Sequence, residues 1–187
     1  MENLTEKSVM AASDVQEIKG AYGTADEGKV REKYGRLTRL LIEKKKQITT
    51  MESCTAGQVA SLITDTEGAS AVLKGAYVTY SNEAKIAAGV PAQIIEDYGV
   101  YSAETAAAMS DACRESMKAD IGVGITGSFG NADPNNADSI PGEVYFAIST
   151  SEGIECFHCT VPVQASRFAY KIFMADVIAD RLLDRLF

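Results

Sequence analysis

The hydrophobic positions of this chain follow two spacings, one typical of amphipathic helices and one typical of buried strands. A helical spacing begins near Gly28 and connects Val30, Tyr34, Leu37, Leu40 and Leu41. The run QITTM predicts a short strand at 47–51, a mostly apolar run predicts a buried strand at 73–80, and an apolar run predicts a strand at 121–126. Two further strands, at 143–150 and 154–161, are predicted to pair as a hairpin across a Ser-Glu-Gly turn.

Helical patterns fill the segments between and after these strands, at 58–64, 82–89, 92–98, 102–118 and 164–187. Strands that alternate with helices, together with one hairpin, predict a three-layer α/β/α sandwich with a mixed, mostly parallel sheet of about five strands. Residues 28–187 are predicted to form this domain. Residues 1–27 mix charged and small residues, which predicts a loosely ordered N-terminal extension, with a short helix at 9–18 as the alternative.

Composition narrows the classes of function. The 187 residues carry a formal net charge of −8, and an acidic chain lacks the basic face that a nucleic-acid partner requires. No apolar run approaches membrane-spanning length and no segment resembles a secretory leader, so a cytoplasmic protein without a membrane partner is expected. The four cysteines are too few for a disulfide scaffold and are interpreted as reduced thiols.

Polar residues with reactive side chains follow three of the predicted strands. These segments are Glu52–Thr55, Ser81–Lys85 and Thr126–Ser128. In open α/β sheets, the loops that leave the carboxyl ends of the strands form the usual ligand crevice. The three segments are therefore predicted to meet in one site.

Ser53 lies at a strand-to-helix turn, where its hydroxyl is exposed and free N–H groups of the next helix can stabilise an oxyanion. The alternative is a helix N-cap, a position that favours Ser and Thr. A nucleophilic serine needs a base, and Lys85 fits if burial and the positive end of a helix lower its pKa. A solvated helix lysine is the alternative for Lys85. Ser81, one turn earlier, is either a rival partner or the N-cap of that helix.

Other reactive side chains also have both a chemical and a structural interpretation. The only histidine, His158, lies in a predicted strand and is either structural or a base. Cys54 is either an acidified nucleophile at a helix start or a buried packing residue. The CFHC run lacks a second pair of ligands, and strand alternation divides its side chains between two faces, so no metal site is predicted. Asp133 and Asp138 match no calcium loop and are interpreted as turn formers.

Several motifs together resemble one known family. The chain contains, in order, ESCTAG, TYSNEAK, YGVYSAETAAAM, a strand that ends in TG, and PGEVYFAI. Their order and spacing are similar to those of the CinA C-terminal domain family, from about residue 28 to residue 187. That family includes the nicotinamide-nucleotide amidohydrolases, or NMN deamidases. The resemblance implies hydrolysis of the carboxamide of nicotinamide mononucleotide (NMN) to nicotinate mononucleotide and ammonia, without a metal or a cofactor.

The resemblance also implies roles for individual residues. Ser53 is expected to be the nucleophile, Lys85 its base, and Tyr80 the third member of the catalytic group. The residues expected to bind substrate are Thr55, Gly57, Ser81, Asn82, Thr126, Gly127 and Arg167. A loop at Thr126 and the guanidinium of Arg167 are suitable ligands for the substrate phosphate, and a surface role is the alternative for Arg167.

The chain departs from the family pattern at two places. Ala56-Gly57 replaces a pair of glycines, and SFGNADPNNADSIPG, in the loop 127–142, replaces a sequence of the Ala-Gly-Pro-Asp-Gly-Gly type. Two alternatives to an NMN deamidase therefore stay open: a Ser–Lys amidohydrolase for another small amide, and a catalytically silent binding protein. An edge strand in the 143–161 hairpin also predicts a homo-oligomer, most simply a dimer.

Overall fold

Strands and helices alternate along this computed structural model, which describes residues 3–18, 23–134, 136 and 139–186. The strands are β1 Val15–Glu17, β2 Ile48–Glu52, β3 Leu73–Val78, β4 Ile121–Gly127, β5 Glu143–Thr150 and β6 Gly153–Thr160. The helices are α1 Leu4–Ala12, α2 Glu27–Lys44, α3 Gln58–Thr64, α4 Asn82–Ala87, α5 Ala92–Tyr98, α6 Ala103–Met117 and α7 Arg167–Leu186. The strands and helices predicted for residues 28–187 are therefore present, with small shifts at their ends.

The strands form one mixed sheet of six strands in the order β1-β6-β5-β4-β2-β3. β2 pairs in parallel with β3 and β4, and β1 pairs in parallel with β6. β5 runs antiparallel to both β4 and β6, which confirms the predicted hairpin. The α/β fold with a mixed sheet is confirmed, with six strands where about five were predicted. Because β2 and β4 are parallel neighbours, their carboxyl ends, Glu52 and Gly127, reach the same edge of the sheet.

Helices cover both faces of the sheet. On one face α2 packs on α7, and the phenol of Tyr34 donates a 2.9 Å hydrogen bond to the carbonyl oxygen of Ala175. On the other face α6 packs on β4 and β5. This close approach requires glycine in β4, because a Cβ on Gly124 would lie 2.3 Å from the carbonyl oxygen of Ala106. Within the described part of the chain, no helix combines the length and the apolar composition that a membrane span requires.

Residues 3–18 differ from the loosely ordered extension that their composition predicted. They form α1, which packs on α6, and β1, which pairs with β6. The helix lies at Leu4–Ala12 and not at 9–18. Local pattern could not reveal β1, because this strand of three residues is stabilised by pairing with a strand far away in the sequence. The domain boundary at residue 28 stays a prediction.

β1 also covers the side of the hairpin that was the basis for the predicted homo-oligomer. His158 of β6 is hydrogen-bonded through Nδ1 to the carboxylate of Glu17, at 2.9 Å, and through Nε2 to Glu143. Its ring stacks on Tyr145 with ring centroids 4.5 Å apart. Among the described strands, the edges of the sheet are therefore β1 and β3. The homo-oligomer stays a prediction, without the support of an open hairpin edge.

Candidate active site

Ser53 and Lys85 are in contact at the carboxyl end of β2. Ser53 directly follows the last residue of β2, and Lys85 belongs to α4. The Nζ atom of Lys85 donates hydrogen bonds of 3.1 Å to Oγ of Ser53 and of 3.0 Å to the carbonyl oxygen of Thr79. Lys85 is only 1% exposed and Ser53 only 6%. Two of the three predicted strand ends thus bring a hydroxyl and an amine together away from bulk water.

The start of α4 explains why Lys85 points into the protein. Ser81 is the N-cap of this helix, because its Oγ accepts a hydrogen bond of 3.1 Å from the N–H of Ala84. Lys85 follows one turn later, on the side of α4 that is buried. Of the two roles considered for Ser81, the structure therefore shows the cap. The alternative interpretation of Lys85, as a lysine exposed to solvent on the helix, is wrong.

The environment of Lys85 suits a proton acceptor. Burial lowers the pKa of Lys85 from 10.5 to about 8, while Cys54, Asp133 and Glu83 oppose this shift. Burial and the carboxylate of Glu52 raise the pKa of the Cys54 thiol to about 12. Near pH 8 the thiol of Cys54 is therefore neutral, and the carboxylates of Asp133 and Glu83 are the charges that raise the pKa of Lys85. Lys85 changes its protonation near neutral pH, whereas Cys54 is a poor nucleophile.

Glu52, which the sequence placed in a polar segment without a role of its own, binds the N-terminus of α3. Its carboxylate accepts hydrogen bonds from the backbone N–H groups of Gly57 at 2.9 Å, Val59 at 3.2 Å and Ala60 at 2.9 Å. The Thr50 hydroxyl donates a fourth at 3.0 Å. These three N–H groups are therefore not free to donate to an oxyanion. The expected role of Gly57 in substrate binding stays a prediction.

The same turn decides between the two roles considered for Ser53. The N-cap of α3 is Gly57, which has a φ of 90° and makes no side-chain capping bond. Glycine adopts this left-handed conformation without the strain that a side chain would add. Ser53 lies four residues before the cap, so the interpretation of Ser53 as an N-cap is wrong. Its hydroxyl instead faces Lys85.

A cleft of about 280 Å³ opens beside Ser53. Its lining includes Ser53, Tyr80, Tyr101, Phe129, Asp133 and Arg167. Tyr80 is 63% exposed at the mouth, where its hydroxyl oxygen accepts a hydrogen bond of 3.2 Å from Nη2 of Arg167. The guanidinium of Arg167 also lies 5.7 Å from the centre of the Phe129 ring. The cleft therefore combines a buried reactive pair, aromatic walls and an exposed cation.

Several predicted site residues do not reach this cleft. The Thr126 hydroxyl is buried and donates a hydrogen bond of 2.8 Å to the carbonyl oxygen of Val100. Thr55 is also buried, and its hydroxyl has no hydrogen-bond partner among the described residues. His158 is bound by Glu17 and Glu143 near the opposite side of the sheet, which leaves it no role as the base. Gly127, in contrast, lines the cleft as expected.

The described residues 127–134 of the loop 127–142 contribute to one wall of the cleft. Oδ2 of Asp133 accepts hydrogen bonds from the hydroxyl of Tyr101 at 2.6 Å and from Nδ2 of Asn136 at 2.7 Å. Asn82 in turn donates a 3.0 Å hydrogen bond to Oδ1 of Asn136. Asn82 therefore holds the loop, and Asp133, interpreted as a turn former, is a carboxylate on the wall of the cleft. The interpretation of Asp138 falls outside the described residues.

Comparison with known proteins identifies the family. Residues 31–175 match the model of the CinA C-terminal domain, which is more than half of the chain. The chain belongs to the CinA C-terminal domain family. The matched segment contains Ser53, Lys85, Arg167 and the loop 127–142, whereas α1 and β1 lie outside it.

Curated relatives of the CinA family are considerably longer than this chain. A putative competence-damage inducible protein of Streptococcus agalactiae is 40% identical over 124 residues, which cover 65% of this chain and 29% of the relative. One from Desulforudis audaxviator is 36% identical over 163 residues, which cover 87% of this chain and 37% of the relative. The chain thus spans about a third of the length of these relatives.

Solved structures of CinA proteins share the fold. A competence-damaged protein (CinA) superfamily protein from Escherichia coli is similar with a TM-score of 0.73 and 26% identity, over 90% of this chain and 96% of that one. The competence/damage inducible protein CihA from Agrobacterium tumefaciens is similar with a TM-score of 0.76 and 23% identity, over 87% of this chain and 98% of that one. Because the identity to CihA is only 23%, the similarity to that protein concerns the fold alone.

Proposed function

We propose that this CinA-family chain is an amidohydrolase that converts NMN to nicotinate mononucleotide and ammonia, with Ser53 as the nucleophile and Lys85 as the base. The observation that carries the proposal is the buried contact of 3.1 Å between Nζ of Lys85 and Oγ of Ser53. A lysine whose pKa falls to about 8 is neutral in a substantial fraction of molecules near physiological pH. A neutral amine beside a serine hydroxyl is the arrangement that activates the hydroxyl for attack on an amide.

The reaction follows in two halves. Neutral Lys85 takes the proton of Ser53 as Oγ bonds to the carboxamide carbon, and the carbonyl electron pair moves to the oxygen. The protonated amine then gives that proton to the amide nitrogen, the C–N bond breaks, and ammonia leaves an ester on Ser53. In the second half Lys85 takes a proton from water, which attacks the ester, and returns it to Oγ of Ser53. No net proton is gained or lost by the pair.

The oxyanion of each half-reaction needs hydrogen-bond donors in the cleft. The N–H groups of Gly57, Val59 and Ala60 are unsuitable, because they donate to Glu52. Other donors that line the cleft must therefore serve this role. The function of Glu52 in this scheme is to hold the turn that carries Ser53.

The rest of the cleft suits a nucleotide with an aromatic ring. Arg167 is exposed at the mouth, where its guanidinium can bind a phosphate through two parallel hydrogen bonds. Tyr80, Tyr101 and Phe129 offer aromatic surfaces in the same cleft as that cation and Ser53. Tyr80 also orients Arg167 through its hydroxyl. The aromatic side chains are thus suitable to bind the ring of a pyridine mononucleotide, and Arg167 is suitable to bind its phosphate.

The loop 127–142 supports a second candidate, a Ser–Lys amidohydrolase for a different small amide. Its sequence departs from the pattern that the family resemblance led us to expect, and it supplies Phe129, Asn131 and Asp133 to the lining of the cleft. Residues on the wall of a cleft determine which substrates fit. The reactive pair would be the same for both candidates.

Ammonia release separates these candidates from a catalytically silent protein. Purified chain is assayed with NMN and with a panel of small amides that includes nicotinamide and nicotinamide riboside. We expect release from NMN, loss of at least 10³-fold in kcat in Ser53→Ala, and unchanged kcat in Ser61→Ala, a matched change on the exposed side of α3. Release from another amide alone would favour the second candidate. No release from any amide would refute both.

A further inference from the structure

Asp133 places a negative charge in the wall of the cleft. Two donors, the hydroxyl of Tyr101 and Nδ2 of Asn136, bind the same oxygen of its carboxylate at 2.6 Å and 2.7 Å. The backbone N–H of Asp133 also donates a 2.8 Å hydrogen bond to Oγ of Ser139. Backbone and side chain are both held, so the carboxylate has a fixed position on the wall. A charge fixed in this way acts on whatever occupies the cleft.

The charged groups of the cleft occur in a definite order. The innermost is the amine of Lys85, hydrogen-bonded to Ser53 and 1% exposed. Asp133 comes next, because it is half-buried and lines the cleft together with Ser53. Arg167 is outermost, exposed and bound to Tyr80 at the mouth. From the inside outward the cleft therefore presents a reactive pair, an anion and a cation.

A substrate that matches this order carries an amide, then a positive charge, then a negative charge. We propose that Asp133 is a specificity residue that selects amides whose aromatic ring is cationic, as in a pyridinium, over amides of neutral rings. This inference rests on the proposed function, and it adds the charge of the ring to the features that the site recognises. Opposite charges within a partly buried cleft attract strongly enough to change affinity by an order of magnitude.

Neighbouring groups do not cancel this effect. Two described carboxylates, Asp133 and Glu83, act on the amine of Lys85, and the cation Arg167 is held by Tyr80 at the mouth of the cleft. Glu83 is exposed on α4 and faces solvent, so the solvent screens its charge. When Lys85 is neutral, as the reaction requires, Asp133 is the carboxylate that remains on the wall of the cleft with Ser53.

NMN and its reduced form test the inference, because both carry the carboxamide and the phosphate but only NMN has a cationic ring. We expect Asp133→Asn to lower kcat/KM about tenfold for NMN and less than twofold for reduced NMN. The variant can keep the hydrogen bonds from Tyr101 and Asn136, because its amide oxygen still accepts them. Tyr101→Phe is the matched control: it loosens the loop but keeps the charge, so it should affect both substrates by similar factors.

The outcomes separate this inference from the proposed function. If NMN is hydrolysed and Asp133→Asn lowers both substrates equally, the selection by charge is refuted while the function stands. If NMN is not hydrolysed, the function fails, and calorimetric binding of 1-methylnicotinamide, a cation, and of neutral nicotinamide to Ser53→Ala decides instead. Preferential binding of the cation that disappears in Ser53→Ala/Asp133→Asn supports the inference. Equal binding of the two probes, or no binding of either, overturns it.

Discussion

The carboxylate of Glu52 accepts a hydrogen bond of 2.9 Å from the backbone N–H of Gly57, and this bond closes the turn that carries Ser53. Glu52 is completely buried, and each of its two oxygens accepts two hydrogen bonds. A buried carboxylate is tolerated only when its lone pairs are satisfied in this way. The turn therefore has a fixed shape before any substrate arrives.

Glu52→Gln should destabilise the protein by about 2–4 kcal/mol. In one orientation the new NH₂ group faces the N–H groups of Gly57 and Val59, and in the other it faces the N–H of Ala60. In both cases hydrogen bonds are lost and at least one buried N–H is left unsatisfied. The free energy of unfolding in urea measures the effect. Glu67→Gln, an exposed change at the end of the loop after α3, is the control and should leave the unfolding midpoint almost unchanged. Equal stability of Glu52→Gln and wild type would contradict the assigned bonding.

Lys85→Met should stabilise the protein at pH 7. A buried lysine whose pKa falls from 10.5 to about 8 is charged in both states below pH 8, and the folded state then bears the cost of the buried charge. That cost is about 3 kcal/mol, and the carbonyl of Thr79, which loses its donor, offsets about 1–2 kcal/mol of it. The expected net gain is about 1–2 kcal/mol.

The pH dependence gives this prediction its sign. Above pH 8 the wild type loses the buried proton while its unfolded chain keeps it until about pH 10.5, so wild-type stability rises across this window. The advantage of Lys85→Met should therefore be largest below pH 8 and shrink from pH 8 to pH 10.5. Unfolding curves at pH 7 and pH 9.5 are sufficient. An advantage that grows with pH would show that burial does not lower the pKa.

Cys54→Ala should retain most of the activity, although Cys54 is adjacent to the nucleophile. Burial raises the pKa of this thiol to about 12, so the thiolate is scarce at any pH of interest. We expect kcat/KM for NMN to stay within about threefold of wild type. A loss comparable to that of Ser53→Ala would transfer the nucleophile to Cys54.

Asp133→Asn should shift the pH profile of kcat/KM toward lower pH. The charge of Asp133 favours the protonated amine of Lys85, so its removal lowers the pKa of Lys85 further. The shift is measured on the rising limb of the profile with NMN. Glu96→Gln, an exposed carboxylate of α5, is the matched control and should leave the limb in place. A limb that moves toward higher pH in Asp133→Asn would contradict the electrostatic effect of Asp133 on Lys85.

The sequence predicted the sheet of residues 28–187 and the meeting of Ser53 with Lys85, because both depend on local periodicity and on the geometry common to α/β sheets. The N-cap role of Ser81 could be predicted from the sequence for the same reason. The role of Glu52 could not be predicted from the sequence, because its hydrogen bonds depend on the path of the turn to Gly57. β1 was missed because its stability comes from a distant strand.

Residue type alone also misjudged which polar side chains face the cleft. Thr55 lies in the turn after β2, as Ser53 does, and Thr126 lies near the end of β4, yet both are buried. Asp133 was interpreted from its Pro- and Asn-rich surroundings, which are typical of turns. Its position on the wall of the cleft depends in part on a hydrogen bond from Tyr101, which is distant in the sequence and which no local pattern encodes. Such contacts become visible only in three dimensions.

The pH dependence of kcat/KM for NMN hydrolysis tests the pairing of Ser53 with Lys85 most directly. If Lys85 takes the proton of Ser53, the free enzyme must hold it neutral, so kcat/KM should rise with pH through a single ionisation near 8. Lys85→Arg should lack this rise and most of the activity, because a guanidinium stays protonated. A wild-type profile that is flat from pH 6 to pH 10, or a Lys85→Met variant that keeps both rate and profile, would contradict the pairing.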